Sequence, residues 1–163
     1  MRVFKFGGAS IKDVEGVKNI VNVLTETGQK NTLVVVSAMG KTTNAMEGVV
    51  DAYFNQTEAY KSVLQEIEAF HQIIIDALFE APNTPVSKRV KHLFEQCHTF
   101  LASNRSPNEA FVYDQVVSYG ELVSTSIICA YLNHIGMPAE WVDARACIKT
   151  DNFYRSAHLD WEC

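Results

Sequence analysis

The chain has 163 residues, 47% of them apolar and 20% charged, a composition that fits one folded domain and excludes disordered, collagen-like and coiled-coil chains. Its 14 basic and 19 acidic residues leave a net charge of -5, a poor balance for gripping nucleic-acid phosphates, so no nucleic-acid partner is expected. No run reaches the ~18 apolar residues of a membrane helix, and no signal-peptide core precedes the first glycines, so a cytoplasmic protein without a membrane partner is expected.

Val3-Phe4-Lys5-Phe6 reads as a short strand closed by Gly7-Gly8. Ser10 then offers a hydroxyl N-cap and Asp13 an acid for a helix carrying Val14, Val17, Ile20, Val21 and Leu24 at helical spacing, which Gly28 stops. Thr32-Leu33-Val34-Val35-Val36-Ser37 is apolar on both faces, as a central parallel strand covered by helices requires, so the first 40 residues form a strand-helix-strand unit. From about 45 to 135 the pattern is helical. One helix carries Tyr60 through Leu78 and breaks at Ala81-Pro82-Asn83-Thr84-Pro85; a second presents Val86, Val90, Phe94, Cys97 and Leu101; a third runs from about Ala110 to His134, its half from Val123 to Leu132 buried. Strand is expected again at Ala139-Glu140-Trp141-Val142 and near Cys147-Ile148-Lys149. The pattern has no internal repeat and no linker dividing two domains. It ends on Leu159-Asp160-Trp161-Glu162-Cys163, which is unlike a frayed polar tail.

Three constellations could carry chemistry. In Lys5-Phe6-Gly7-Gly8-Ala9-Ser10 a lysine expected to point inward near the end of a buried strand, two glycines that let backbone amides approach a ligand, and a helix start make an anion site, with a plain tight turn and an exposed lysine as the alternative. It is not a dinucleotide fingerprint, because Ala9 and Lys12 stand where that motif needs glycines. Ser37-Ala38-Met39-Gly40-Lys41-Thr42-Thr43-Asn44 ends like a phosphate-binding P-loop, yet Val35 occupies the position of its first glycine. What remains is a hydroxyl-rich turn at the carboxyl end of a parallel strand, where open α/β sheets bind ligands, or an N-cap cluster. In Ser118-Tyr119-Gly120-Glu121-Leu122, Asp114, Ser118, Glu121 and Thr125 share one helical stripe that reads by default as a solvated face; against this, Gly120 suggests close approach of another backbone and Glu121 could hold an ammonium group. Asp143 and Arg145 read as a loop ion pair, with a contact to a partner domain as the alternative. The four cysteines lack C-x-x-C spacing and the five histidines are scattered, so no metal site and no Ser-His-Asp set is indicated.

These residues together resemble the aspartokinases. Lys5 to Ser10 resembles their K-F-G-G-T-S opening, with Ala9 for threonine; Val36 to Asn44 resembles their V-S-A run ending in T-N; Ser118 to Ser124 resembles S-x-G-E-x-x-S. Asp143-Ala144-Arg145, Thr150-Asp151 and Phe153 to Ala157 resemble D-x-R and T-D-x-x-F-G-R-A, with Tyr154 for a glycine. The resemblance implies a three-layer α/β/α fold with a mainly parallel sheet, incomplete here and carrying the helical insertion at about 45–135. It implies ATP-dependent phosphorylation of the β-carboxylate of L-aspartate to 4-phospho-L-aspartate, with Mg2+, at the entry to lysine, threonine and methionine synthesis. Lys5 would hold phosphate and stabilise the transferring group, helped by Gly7, Gly8 and Ser10; Ser37, Thr43 and Glu121 would hold the aspartate, Glu121 its ammonium. A carboxylate nucleophile is ionised at pH 7 and needs no general base. The resemblance also implies that residues 1–163 are the aspartate-side part of a kinase domain, without the nucleotide-binding remainder and ACT regulatory domains, inactive alone and homo-oligomeric in full length, the apolar ending being a cut edge. A kinase of another small carboxylate and a non-catalytic binding or assembly module are the other readings.

Overall fold

A computed structural model describes residues 1–56 and 58–161; Glu162 and Cys163, part of the expected cut edge, lie outside the described residues. Strands β1 (Arg2–Phe6) and β2 (Thr32–Val36) pair in parallel, with Lys5 opposite Val35 and Phe6 opposite Val36. Between them runs α1 (Val14–Thr27), which ends at Gly28 with φ 85°, a left-handed value that suits glycine. Its buried stripe is Val17, Ile20 and Leu24, as the spacing predicts. The cap differs from expectation. Residues Gly8–Ile11 form a short 3-10 turn in which Ser10 caps nothing, and the Asp13 carboxylate instead accepts from the Gly16 amide 2.9 Å away.

The helical region comprises α2 (Thr42–Phe54), α3 (Ala59–Phe79), α4 (Pro85–Ser103), α5 (Glu109–Val117) and α6 (Tyr119–His134). Helix α4 starts with Pro85 in its first turn and the Thr84 hydroxyl accepting from the Ser87 amide. The expected third helix is two, because the chain breaks at Ser118 between α5 and α6. Helix α6 is the hub: Val123 and Ile127 are fully buried, and α6 packs against α4, α3, α5, α2 and β2. Its apolar composition all round follows from that central position.

Two strand expectations fail, each for a local reason. Residues 139–142 form no strand, since the Asn133 side chain satisfies both backbone groups of Ala139, donating to its carbonyl at 2.8 Å and accepting its amide at 3.2 Å. Near Cys147 the chain makes a single helical turn, α7 (Ala144–Cys147), because Asp143 caps the Arg145 amide. The following segment folds back through one antiparallel bridge between Thr150 and Leu159.

The two-stranded sheet is covered on one face only among the described residues. Phe4, Phe6 and Val34 pack on the core, whereas Val3 (58% exposed), Leu33 (46%) and Val35 (44%) face outward together with Lys5. The expectation of a lysine buried on an inward strand face is therefore corrected: Lys5 shares the uncovered face, and no described helix reaches it.

Candidate functional site

The three constellations meet at the carboxyl ends of the two strands. The Gly8 carbonyl accepts the Gly40 amide at 3.0 Å, and a Cβ at Gly8 would stand 2.6 Å from the Ala38 carbonyl oxygen and 3.0 Å from that of Gly40. Glycine is required by this close approach of two backbones. Gly40 itself has φ 56°. Adjacent to it, the Phe6 carbonyl accepts the Ser37 amide and extends the parallel pairing by one step.

The third constellation enters from α6. One Glu121 carboxylate oxygen accepts the Ala38 amide at 3.3 Å, and the buried Ser124 hydroxyl donates to the Ser37 carbonyl at 2.7 Å. Gly120 explains the proximity: a Cβ there would come within 3.0 Å of the Ala38 methyl and 3.2 Å of the Thr42 methyl. The stripe of Glu121 is thus half-buried against a strand end, which overturns its default reading as a solvated face. Periodicity shows which residues share a helical face and is silent about what that face meets.

Lys5 projects from its exposed position over the same turn, its ammonium 3.7 Å from where a Gly7 Cβ would be. Lys5, Gly7, Gly8 and Ser37 therefore lie at one end of the sheet, with Thr43 in the first turn of α2 and Glu121 in the first turn of α6. Ser10 sits in the 3-10 turn after Gly8, exposed, with its amide bonded to the Gly7 carbonyl at 2.9 Å. Glycine at position 7 leaves the space beneath the ammonium free of side chain, a place where an anionic group could contact both.

Several contacts at this end were not predictable from residue pattern. The Ala38 amide is invisible in a side-chain motif, and Ser124 acts as a brace whose signal is its i, i+3 spacing from Glu121. Trp141 donates its indole proton to the Thr125 hydroxyl at 2.9 Å, and that hydroxyl donates to the Glu121 carbonyl at 2.6 Å, so the segment after α6 steadies the helix turn that bears Glu121. Asp114 accepts the Arg155 amide at 3.0 Å while the Arg155 guanidinium lies over the Tyr113 ring at 4.1 Å, which pins the 150–160 segment to α5.

Asp143 and Arg145 form the expected loop ion pair at 2.7 Å. The hydrogen bond from Arg145 holds the Asp143 carboxyl below its usual range. Cys97 is buried at the α4 seam, where burial pushes its thiol up to about 12 and leaves it an unreactive core group. No group of three His, Cys, Asp or Glu side chains suited to a metal ion occurs among the described residues, and none of the described helices is long and apolar enough to cross a membrane. A cavity of about 360 Å³ along β2 and α6, bordered by Val34, Val36, Thr125, Cys129, Glu140 and Trp141, includes none of Lys5, Gly8, Ser37 and Glu121.

The chain is similar in sequence and in fold to known proteins. The sequence model of the amino acid kinase family matches residues 1–160. The chain is 31% identical over 152 residues to bifunctional aspartokinase/homoserine dehydrogenase 2 of Escherichia coli (strain K12), covering 92% of this chain and 18% of that protein. It is 32% identical over 167 residues to the chloroplastic aspartokinase 2 of Arabidopsis thaliana, covering 97% of this chain and 29% of the other. The chain thus spans less than a third of the length of these relatives. Among solved structures, E. coli aspartokinase III in complex with aspartate and ADP superposes with a TM-score of 0.84 at 22% identity, over 98% of this chain and 35% of that one. The fold is accordingly an incomplete α/β amino-acid-kinase fold, rich in helix around a small parallel sheet. With its strand-end turns joined as described and its sequence matched from residue 1 to residue 160, the chain belongs to the amino acid kinase family.

Proposed function

We infer that the chain is the aspartate-side part of an aspartokinase catalytic domain, which in its full-length protein transfers phosphate from ATP to the β-carboxylate of L-aspartate and yields 4-phospho-L-aspartate. The observation that carries this reading is the joining of Lys5, Gly7-Gly8, Ser37 and Glu121 at one strand end through the Gly8–Gly40 and Glu121–Ala38 contacts. An open place beside a lysine and glycine amides suits phosphate oxygens, and a half-buried carboxylate nearby suits an α-ammonium group. The relatives are named aspartokinases, and the aligned aspartokinase III is a complex with aspartate and ADP.

In this reading Lys5 stabilises charge on the transferring group, with Gly7, Gly8 and Ser10 beside it. Ser37, Thr43 and Glu121 orient the amino acid. Position and charge carry the reaction, because the attacking carboxylate is already ionised. Bound ATP supplies the phosphoryl group, and Mg2+ accompanies the nucleotide in the full-length enzyme. Residues for the remainder of the nucleotide site, the regulatory domains and any homo-oligomeric contact belong to the longer protein. The proposed setting is cytoplasmic amino-acid biosynthesis leading to lysine, threonine and methionine.

The exposure of Lys5 favours one competing reading, a binding or assembly module without catalysis. An aspartyl-phosphate assay on the full-length protein separates the two. Aspartate-dependent activity there, lowered by about a hundredfold or more in Lys5→Ala as expected for loss of a transition-state charge contact, supports the kinase. Glu121→Gln is expected to act mainly on KM for aspartate. Wild-type behaviour of both variants would overturn the assigned site, and robust turnover by the 163-residue chain alone would overturn its reading as a partial domain.

A further inference from the structure

The segment after α6 turns back along that helix and is tied to it at successive points. The Met137 amide donates to the Leu132 carbonyl at 2.9 Å, the Asn133 side chain brackets the backbone of Ala139, and the Trp141 indole N–H donates to the Thr125 hydroxyl at 2.9 Å. Trp141 is also held at its ring face, where the guanidinium carbon of Arg89 on α4 lies 4.2 Å from the ring centroid. The half-buried indole is thereby fixed between α4 and α6, two helices that pack against each other.

This contact leads to the turn that carries Glu121. A threonine hydroxyl has one proton to donate, and that of Thr125 lies 2.6 Å from the Glu121 carbonyl against 3.3 Å from the Leu122 carbonyl. Accepting the indole proton on its other side fixes the hydroxyl rotor, so its own proton goes to Glu121. Hydroxyls that donate to carbonyls one turn back bend a helix, so this bond bears on the direction of the turn. Helix α6 has no other side-chain support at its start, because it begins directly at the break after α5 and Ser118 supplies no capping bond. The Glu121 carboxylate meets the Ala38 amide at 3.3 Å, longer than the usual hydrogen bond, and so is weakly held at its tip. Its aim depends on how the turn beneath it is held.

We propose that Trp141 is a positioning residue for the amino-acid end of the strand-end site. Through the Thr125 hydroxyl it fixes the turn of α6 that bears Glu121, and so sets how well that carboxylate meets the ammonium group of the substrate. This rests on the reading of Glu121 as the ammonium partner. Trp141 acts through Glu121, so its effect falls on binding of the amino acid and not on the phosphoryl-transfer end at Lys5.

The experiment is steady-state kinetics of the full-length protein with aspartate and ATP varied in turn. Trp141→Phe keeps a ring under Arg89 and removes the donor; Thr125→Val keeps the side-chain shape and removes the hydroxyl. Each should raise KM for aspartate by about threefold to tenfold, the net worth of one intramolecular hydrogen bond, with kcat and KM for ATP unchanged. The double variant should be no worse than the more affected single one, because both remove the same bond. Thr125→Ser retains the hydroxyl and should keep the wild-type KM. A packing role alone would lower the thermal midpoint and the active fraction, hence kcat, and leave KM for aspartate in place. Unchanged KM in both single variants, additive effects in the double, or equal losses in Thr125→Ser and Thr125→Val each overturn the proposal. Glu121→Gln in the same assay separates it from the reading on which it rests. A raised KM there with a normal KM in Trp141→Phe discards the tether and keeps the site, whereas a normal KM in every variant, or no aspartate-dependent turnover in the wild type, discards both.

Discussion

At the level of single residues, the space around a glycine separates positions that look alike in sequence. A Cβ on Gly8 would stand only 2.6 Å from the Ala38 carbonyl oxygen, which is backbone and yields little, whereas a Cβ on Gly48 in α2 would meet nothing within 4 Å. Gly8→Ala should therefore destabilise the chain by about 1–3 kcal/mol or more, and Gly48→Ala should stabilise it by up to ~1 kcal/mol. Urea denaturation of the two variants checks this; equal effects would mean that the turn contact is slack. His71 offers a pH test. It is fully buried in α3, its Nδ1 lies 2.7 Å from the Ile67 carbonyl and its Nε2 has no partner. Burial lowers its pKa from 6.5. The unfolded chain then takes up the proton first as pH falls, so stability is full above about 6.5 and is lost below it, by at most ~1.4 kcal/mol per pH unit. The thermal midpoint of the wild type should drop more between pH 7 and pH 5 than that of His71→Leu; parallel curves would show that the ring is not the cause.

Among the elements, the helices were legible where apolar residues recur on one face and a breaker ends the run. The buried stripe of α3 includes Tyr60, Leu64, Ile67, Ile74 and Leu78, and that of α4 includes Val86, Val90, Phe94 and Leu101, because each helix presents one side to the core. Caps and breaks were less legible, since they depend on competition between neighbours. Ser10 and Asp13 are both good caps, and the 3-10 turn at Gly8–Ile11 hands the role to Asp13. Asp13→Ala should cost about 1 kcal/mol while Ser10→Ala leaves stability within the ordinary range of an exposed site. Chemical denaturation of the pair decides it, and a reversed order would restore Ser10 as the cap. The break at Ser118 was hidden because no proline marks it and apolar residues continue on both sides, and it is this break that sets the start of α6, and so Glu121, against the end of β2.

Across the whole molecule, the uncovered face of the β1–β2 sheet has a physical consequence. Val3, Leu33 and Val35 expose apolar side chains beside one another on paired strands, and such surface favours association. The isolated chain should scatter light increasingly with concentration. Val35→Lys should reduce that scattering with little change in thermal midpoint, since the side chain is 44% exposed on the uncovered face. Unchanged scattering would place the association elsewhere.

By itself the sequence determined the strand-helix-strand opening, the long amphipathic helices, and three short clusters whose residue types suit an anion and an amino acid, because periodicity and turn chemistry are local properties. Tertiary structure alone decided that these clusters meet. The Gly8–Gly40 approach, the Glu121–Ala38 bond and the Ser124–Ser37 bond each join residues distant along the chain. It also decided that Lys5 stands in the open and that residues 139–142 form no strand, because a side chain's burial and a strand's pairing depend on neighbours that no local pattern names.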